Sequence, residues 1–422
     1  MTISLGTSVR GGLLRRLFSH PQHASTSVSS LTPAACTAIG LLQQIQSGSL
    51  RLLLPHGDSL LLGHGEVRAT LEVNNLRLFD RALGEGDIGF AESYIDGDWQ
   101  TDNLAGLLTL LAENRQVLAR AVHGQWFSVL GHRLRHLARA NTRRGAQKNI
   151  LAHYDLGNDF YRLWLDPSMS YSSALFDRTD TVEPSLEQAQ HAKYRRILDR
   201  LAPTPGDTIL EVGCGWGGFA EMAVMHYGCR VHGITLSPSQ LAYAQGRAKR
   251  GGWADKARFE LIDYRDVTGK FDHIVSIEMI EAVGERFWPG YFKQLKNCLK
   301  PGGRAIVQSI TIANERFNAY RRGTDFIQRH IFPGGMLPSP KVFESRAASA
   351  DFLVTDQFAF GLDYARTLAH WHASFDAAWP QIAVQGFDER FRRLWKFYLA
   401  YCEGGFRSAA TDVYQFTLQQ RQ

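Results

Sequence analysis

The sequence predicts an α/β protein built on a doubly wound parallel sheet, with a smaller α+β domain before it. From about residue 204 onward, five short apolar segments alternate with helical segments. This alternation is typical of a parallel sheet covered by helices on both faces. A glycine-rich turn follows the first apolar segment. The chain has 422 residues, which is enough for two or three domains at about 100–200 residues each.

The first part of the chain is assigned to an arm and a small domain. Residues 1–34 contain Arg, Ser and Thr but no Asp or Glu, which suits a disordered arm and also resembles a transit peptide. In residues 35–112, the segments LRLLL, SLLLG and VRATLEV predict strands, because the turn signals PHGD and GHGE separate them. The segment NLAGLLTLLAENR predicts a helix after these strands.

Residues 113–150 are predicted to form a basic helical linker. No Asp or Glu occurs between Asn114 and Tyr154, while Arg and Lys recur there. A basic face of this kind suits anionic lipid head groups or nucleic acid, although such runs are more often solvated helix faces. Because we find no RNA-binding motif, we expect an anionic membrane surface as a partner and no nucleic acid. A homodimer stays open.

Composition limits the class of protein further. The net charge is +6 and 44% of the residues are hydrophobic, which is ordinary for a globular protein. No apolar run approaches the ~18–20 residues of a membrane span. The five cysteines are scattered and form no CxxC pair, which argues against a disulfide framework and a zinc site. We therefore expect a cytoplasmic protein, without a metal, that associates peripherally with the membrane.

The large domain, residues 151–422, is predicted to carry the parallel sheet. Its strands are expected, in chain order, at TILEVG, CRVHGITL, ARFELID, FDHIVSI and RAIVQSITI. The helix SPSQLAYAQGRAKRGG opens with Ser-Pro and closes with Gly, as helices commonly do. Ligands bind at the carboxyl ends of the strands in such sheets. The segment around 312–350 interrupts the pattern and is predicted to cap the ligand site.

The turn after the first strand is a candidate nucleotide-binding loop. It contains Glu211, Gly213, Cys214, Gly215, Gly217 and Gly218. Glycines let the backbone approach a ligand closely, and the helix that follows offers free N–H groups. The loop satisfies GxGxxG, but a dinucleotide site requires an acid about 20 residues later, and GITLSPSQ contains none. The alternative is a nucleoside without pyrophosphate, chiefly S-adenosylmethionine, because Glu211 suits its cationic groups.

Several long motifs occur together in the second part of the chain. They are HYDLGNDFYRLWLD, MSYSSALF, ILEVGCGWGG, GITLSPSQ, IEMIEAVG, FIQRHIFPGG and YLAYCEGGFR. Together they resemble the cyclopropane-fatty-acyl-phospholipid synthase family over most of residues 150–418. The resemblance implies a class I methyltransferase (Rossmann-like) sheet that uses S-adenosylmethionine. It also implies transfer of a methyl(ene) group to the double bonds of unsaturated phospholipid acyl chains, giving cyclopropane fatty acids.

Two alternatives to cyclopropane formation stay open. One is methylation of the acyl chain without ring closure, which gives a methyl or methylene branch. The other is a catalytically inactive lipid-binding relative, which is motivated by departures from the family pattern at Ser173 and Gln308.

The resemblance implies which residues contact S-adenosylmethionine. Besides Glu211 and the glycine loop, they are Tyr171 and Ser172 of the YS motif, Thr235, Leu236, Ser237 and Gln240 of the TLSxxQ motif, and Asp263 and Tyr264 beside the adenine. Gln240 is expected to substitute for the missing ribose acid.

The resemblance also implies a bicarbonate ion that acts as the base near the reacting carbons. Its expected ligands are Glu281, the backbone of Ile310, Tyr364, and Ser173 and Gln308 in place of a Cys and a His. Gln can donate a hydrogen bond, but it cannot titrate as His does. Cys402 matches a family cysteine once regarded as a nucleophile, although a buried structural Cys is the commoner case.

The glutamates after the fourth strand have separate expected roles. Glu281 is predicted to orient the base. Glu278, at a position where many members of the family have Gly, is expected to face the sulfonium, to support Glu281 or to be solvated. Glu285 is expected at the surface. The aromatic candidates for lining a pocket that stabilises positive charge are Tyr264, Phe271, Tyr364, Trp371 and Trp395, although any single aromatic residue is more often plain core.

Overall fold

The computed structural model describes residues 31–121, 156–176 and 184–421. The first 30 residues of the predicted arm and most of the predicted basic linker lie outside these ranges. Contacts divide the described chain into two units, residues 31–103 with 114–121, and residues 104–113 with 156–421. The helix at 104–113, which the sequence analysis placed in the small domain, therefore belongs to the larger unit by its contacts.

The smaller unit combines a four-stranded sheet with short helices. The elements of this part of the chain are α1 (Pro33–Leu42), β1 (Gly48–Leu53), β2 (Ser59–His64), β3 (Val67–Val73), α2 (Arg77–Glu85), α3 (Asp87–Ile95), β4 (Trp99–Thr101), α4 (Leu104–Glu113, in the larger unit) and α5 (Arg115–Ala121). The sheet order is β2-β1-β3-β4, with β1 antiparallel to β2 and parallel to β3. The three strands predicted here are present, and the predicted helix corresponds to α4.

The larger unit alternates strands and helices from residue 186 onward. Its elements after α4 are α6 (Asn158–Arg162), α7 (Leu186–Leu201), β5 (Thr208–Val212), α8 (Gly218–Tyr227), β6 (Arg230–Thr235), α9 (Pro238–Arg250), β7 (Ala257–Leu261), β8 (Phe271–Ile277), α10 (Trp288–Cys298), β9 (Leu299–Ile312), α11 (Phe317–Tyr320), α12 (Phe326–His330), α13 (Pro340–Ala348), β10 (Phe352–Ala359), α14 (Gly361–Val384), α15 (Glu389–Arg407) and β11 (Thr411–Gln420). Single turns of 3₁₀ helix lie at Tyr264–Asp266, Ile280–Ala282 and Glu285–Phe287.

The sheet of the larger unit has seven strands in the order β10-β11-β9-β8-β5-β6-β7. The five strands predicted from the sequence, β5 to β9, are parallel to one another. Strand β11 runs antiparallel to both β9 and β10. The prediction of a doubly wound parallel sheet is confirmed, and the antiparallel pair β10–β11 extends it.

Apolar side chains alternate between the two faces of this sheet. Ile209 and Val275 point into a core shared with α7, α8 and α9. Their neighbours Leu210 and Ile274 point into a second core shared with α10 and α13. Because both faces are covered by helices, the strands are buried along most of their length, and the ends of the strands remain to form a binding site.

Within residues 31–121, 156–176 and 184–421, no helix is both long enough and apolar enough to cross a membrane.

Candidate active site

A cavity of about 330 Å³ opens at the carboxyl ends of β5, β6 and β8. Its walls come from the glycine loop, from the segment after β8, from the segment between β9 and α13 and from helices α14 and α15. The predicted capping segment around 312–350 contributes Tyr320, Phe332 and Met336 to these walls. Six of the seven motifs identified in the sequence therefore meet at this cavity, and HYDLGNDFYRLWLD does not line it.

The glycine loop holds a backbone conformation that requires glycine. Gly213, Gly215 and Gly217 have φ angles of +87°, +51° and +83°, which side chains rarely allow. A Cβ at Gly213 would stand 3.2 Å from Met279 Cγ. Gly217 does not line the cavity, and its role is to let the chain turn into α8. The predicted loop thus presents bare backbone, with Gly213, Cys214 and Gly215, to the cavity.

Glu211 carries a free carboxylate oxygen at one end of the cavity. The residue is 3% exposed, and no donor of the described chain reaches its Oε2 atom. Burial raises the pKa of this carboxyl well above its usual value, while Lys193 and Arg247 oppose the shift. A buried acceptor without a donor is costly. This atom therefore fits a cationic ligand group, such as the amino group of S-adenosylmethionine.

The YS motif lies beside Glu211. Lys193 Nζ is fully buried and donates to Ser172 Oγ at 2.6 Å. Burial lowers the pKa of Lys193 to about 8, although the nearby carboxylates favour its charged form. Tyr171 and Tyr398 join their hydroxyls at 2.7 Å, and both line the cavity. Tyr171 and Ser172 thus both line the cavity, and their contact with S-adenosylmethionine stays a prediction.

The end of β6 supplies part of the cavity wall. Thr235, Leu236 and Gln240 line the cavity, and Thr235 Oγ1 donates to Gln240 Oε1 at 2.9 Å. Ser237 does not line it. Its hydroxyl accepts from Gln240 N–H at 3.3 Å and caps α9. Ser237 therefore positions Gln240 instead of facing the ligand.

Of the two site residues predicted after β7, one lines the cavity and the other does not. Tyr264 lines the cavity. Asp263 does not, and its carboxylate accepts from Arg265 Nε at 2.8 Å and from the Arg265 backbone N–H at 3.0 Å. The contact of Asp263 with the adenine, which the resemblance implies, stays a prediction.

The Glu278 carboxylate lies among the groups that the resemblance implies as ligands of the base. Its Oε1 atom accepts from Ser173 N–H at 2.9 Å and from Gln308 Nε2 at 2.7 Å. Its Oε2 atom accepts from the Tyr364 hydroxyl at 2.7 Å. Three of the groups expected to hold bicarbonate therefore hold the Glu278 carboxylate. The Ser173 hydroxyl, expected to replace a Cys ligand, donates instead to the Ala174 carbonyl.

Glu281 lies beside Glu278 and is bound by a backbone group. Its Oε1 atom accepts from the Ile310 N–H at 2.5 Å. No donor of the described chain reaches its Oε2 atom. Burial and the neighbouring Glu278 raise the pKa of Glu281 to about 8. Glu281 therefore carries a proton near neutral pH.

Some of the remaining predicted residues line the cavity, and the others lie in the protein core or near the surface. Cys402 lines the cavity, and burial raises the pKa of its thiol far above the usual value, which keeps it un-ionised. Of the five aromatic candidates, Tyr264 and Tyr364 line the cavity. Those that pack in the core away from it are Phe271, Trp371 and Trp395. Glu285, expected at the surface, is paired with Arg321 at 2.7 Å.

Much of the apolar wall was not predicted from the sequence. The residues not predicted include Tyr320, Phe332, Leu368, Tyr398, Tyr401 and Phe406. A signal for two of them was present, because Tyr398 and Tyr401 lie at helical spacing with the candidate Cys402 within a quoted motif on α15. No metal cluster of three or more His, Cys, Asp or Glu occurs among the described residues.

The fold and the site define a class I methyltransferase that depends on S-adenosylmethionine. The solved structure of the mycolic acid cyclopropane synthase CmaA1, complexed with SAH and CTAB, matches with a TM-score of 0.61 at 34% identity. The match covers 65% of this chain and 98% of that chain. The unpaired Glu211 oxygen and the open glycine loop fit this cofactor.

The sequence comparisons give the family. The family model for mycolic acid cyclopropane synthetase matches residues 141–416. The tuberculostearic acid methyltransferase UfaA1 of Mycobacterium tuberculosis (strain ATCC 25618 / H37Rv) is 36% identical over 408 residues, 94% of each chain. The cyclopropane-fatty-acyl-phospholipid synthase of Escherichia coli (strain K12) is 35% identical over 361 residues, 83% of this chain and 88% of that protein.

The chain belongs to the mycolic acid cyclopropane synthetase family. It is a methyltransferase that uses S-adenosylmethionine to modify lipid acyl chains. The predicted family, cofactor and enzyme class are confirmed.

Proposed function

We propose that this protein transfers the methyl carbon of S-adenosylmethionine to the double bond of unsaturated phospholipid acyl chains and closes a cyclopropane ring. The observation that carries the proposal is the composition of one cavity. Its lining includes the unpaired carboxyl oxygen of Glu211 and the glycine loop, together with many aromatic and aliphatic side chains. Such a wall suits an acyl chain, and the Escherichia coli relative named for acyl phospholipids supports the choice of lipid.

When bound, S-adenosylmethionine supplies an electrophilic methyl carbon, whose bond to sulfur breaks as the π electron pair of the alkene attacks it. Positive charge then develops on the neighbouring acyl carbon. The rings of Tyr364 and Phe406, stacked with centroids 4.5 Å apart, and the carboxylate of Glu278 line this part of the cavity. Aromatic faces and a carboxylate stabilise a cation, and the apolar wall excludes water that would trap it.

A methyl or methylene branch is the second candidate product. Ring closure requires loss of a proton from the added methyl group, whereas loss from an adjacent chain carbon leaves a branch. The relative UfaA1, named as a tuberculostearic acid methyltransferase, matches this chain over 94% of its length. The replacement of the expected Cys and His by Ser173 and Gln308 also favours a site in which the base is placed differently.

The test is expression in a bacterial host that lacks its own synthase, followed by mass spectrometry of the lipids. We expect unsaturated phospholipids to gain the mass of one CH₂ group, and NMR of the purified product to show cyclopropane protons. Vinylidene or branched-methyl signals would replace the cyclopropane by the second candidate. Unchanged phospholipids, with free fatty acids or other lipids modified instead, would contradict the proposed substrate.

We also propose that the enzyme acts at an anionic membrane surface from the cytoplasm. Arg322 and Lys341 of the capping segment are exposed and suit anionic head groups. Turnover on vesicles that contain anionic lipid should fall as salt rises, because the attraction is screened. Turnover that is independent of salt would contradict this. For oligomeric state we keep the homodimer only as a proposal, to be measured by light scattering.

A further inference from the structure

Glu278 occupies the position at which the family resemblance implies an independent bicarbonate ion. Ser173 N–H, Gln308 Nε2 and the Tyr364 hydroxyl donate to its carboxylate at 2.9, 2.7 and 2.7 Å. The remaining expected donor, Ile310 N–H, binds Glu281. A bicarbonate ion does not fit these residues, because the donors that would hold it are already used by side chains of the protein.

The backbone at Glu278 indicates that this carboxylate is held there against a cost. Its φ angle is 49°, in the left-handed region where glycine is at ease and a side chain is disfavoured by about 1 kcal/mol. Many members of the family that the sequence resembles have glycine at this position. The Glu278 N–H also donates to the Gln308 carbonyl at 2.8 Å. The strained conformation places the carboxylate in the ring of donors.

The side-chain amide of Gln308 has a fixed orientation. Gln415 Nε2 donates to Gln308 Oε1 at 3.0 Å, and this contact turns Gln308 Nε2 toward Glu278. The Tyr364 hydroxyl remains protonated, because burial and the adjacent Glu278 raise its pKa well above the usual value. The Gln308 amide and the Tyr364 hydroxyl are therefore both donors to the Glu278 carboxylate.

One acceptor position of Glu278 remains for the reaction. An ionised carboxylate has about four lone-pair sites, and three donors use three of them. The free site is on Oε2, and Glu278 lines the cavity beside the apolar wall. Burial raises the pKa of Glu278, although its donors and Lys193 lower it, which makes the carboxylate a stronger base than an exposed glutamate.

We propose that Glu278 is the catalytic base of this enzyme, in the role that the resemblance assigns to bicarbonate. The reaction then needs no free anion. This inference rests on the proposed function. After the methyl carbon has bonded to the alkene, Glu278 Oε2 accepts a proton from the added methyl group. The C–H electron pair closes the ring onto the cationic carbon, and Glu278 becomes a neutral carboxylic acid. Its proton passes to water when the product leaves.

The first experiment compares Glu278→Gln with the wild type and with Glu285→Gln as the matched control. Glu285 lies on the same segment, but it is paired with Arg321 outside the cavity. We expect Glu278→Gln to lose about a hundredfold or more in kcat, while S-adenosylmethionine binding by calorimetry and the melting temperature stay near wild type. Glu285→Gln should keep wild-type turnover. A Glu278→Gln variant with turnover close to wild type would overturn the proposal.

The second experiment measures bicarbonate directly and does not depend on lipid turnover. Equilibrium dialysis with labelled bicarbonate should show no bound anion on the wild type. It should show about one anion per chain on Glu278→Gly, because this variant frees the three donors. Wild-type turnover should be unchanged in buffer stripped of carbon dioxide, whereas Glu278→Gly should need added bicarbonate. Bicarbonate bound to the wild type, or absent from Glu278→Gly, would overturn the proposal.

The two proposals fail in distinguishable ways. If the wild type leaves phospholipids unmodified, the proposed function fails, and the dialysis result still decides whether Glu278 fills the anion site. If the wild type modifies phospholipids but requires bicarbonate, the proposed function stands and the assignment of Glu278 fails.

Discussion

At the scale of single residues, two glutamates on one turn differ in the hydrogen bonds that their carboxyls accept. Glu278 accepts three hydrogen bonds, which favour its ionised form. Glu281 accepts from Ile310 N–H and lies beside the charge of Glu278, so it keeps a proton near neutral pH. Two carboxylates at close range rarely ionise together. By its hydrogen bonds, Glu278 is therefore better suited than Glu281 to hold a negative charge in this cavity.

The protonation of Glu281 predicts how stability depends on pH. Its folded pKa of about 8 lies above its ordinary value of 4.5. Between these values the unfolded chain has lost the proton and the folded protein keeps it. The free energy of unfolding therefore falls as pH rises through this window, by up to about 1.4 kcal/mol per pH unit from this group.

Glu281→Gln removes this titration while keeping an oxygen for the Ile310 N–H. We expect the stability advantage of the wild type over Glu281→Gln to shrink as pH rises from about 5 to about 8 and then to level off. Urea unfolding of both proteins across this range measures it. Two stability curves that run parallel throughout would show that Glu281 is already ionised in the folded protein.

Cys402 lines the cavity without the chemistry of a nucleophile. A thiol attacks only as the thiolate, and burial raises the pKa of this thiol far above neutral pH. Cys402→Ser should keep kcat within about threefold of wild type, since Ser has similar size and no covalent step passes through this position. Steady-state turnover on vesicles measures the effect. A loss of about a hundredfold with normal cofactor binding would restore the nucleophile interpretation.

At the scale of elements, a chain of hydrogen bonds connects α7, β11 and β9 to Glu278. We call this chain of hydrogen bonds the relay. Arg196 on α7 donates to Gln415 Oε1 at 2.6 Å, and Gln415 on β11 donates to Gln308 on β9 at 3.0 Å. Gln308 then donates to Glu278 after β8. The antiparallel strand β11, which pairs with β9 along its length, is therefore part of the support of the site as well as of the sheet.

Gln415→Glu should weaken this relay selectively. The new carboxylate can still accept from Arg196, but it cannot donate to Gln308 Oε1, so the Gln308 amide loses its fixed orientation. We expect kcat to fall about five- to tenfold, as for one lost hydrogen bond, with little change in the affinity for S-adenosylmethionine. The matched control is Gln420→Glu, which removes an amide donor from the same strand at the Lys296 and Leu299 carbonyls. Equal kcat values for both variants would contradict the relay.

At the scale of the whole molecule, the boundary between the two units does not follow the chain. Helix α4 belongs to the larger unit, and it buries Leu104, Leu107, Leu108 and Leu110. It packs closely on α15 at Gly404, where a Cβ would stand 3.0 Å from the Thr109 nitrogen. The larger unit therefore depends on residues that precede its main stretch of chain.

Two truncations test this boundary. A chain that begins at Leu104 should keep S-adenosylmethionine binding, because the described residues that line the cavity all lie within 169–411. A chain that begins at residue 124 should be less stable by several kcal/mol, at about 1.5–3 kcal/mol for each buried leucine lost. Thermal unfolding and calorimetry measure both. Equal stability of the two truncated chains would show that α4 adds nothing to the larger unit.

The sequence by itself determined the parallel sheet, the glycine loop, the cofactor and the family. These follow from local patterns, since apolar runs, glycines and long motifs are read within a few residues of one another. The pair β10–β11 was missed because β11 lies between β9 and β10 through contacts that are distant in the chain. Only the tertiary structure shows that three donors bind the Glu278 carboxylate and not that of Glu281. Ser173, Gln308 and Tyr364 come from separate segments, and which carboxylate their donors reach depends on how those segments fold together.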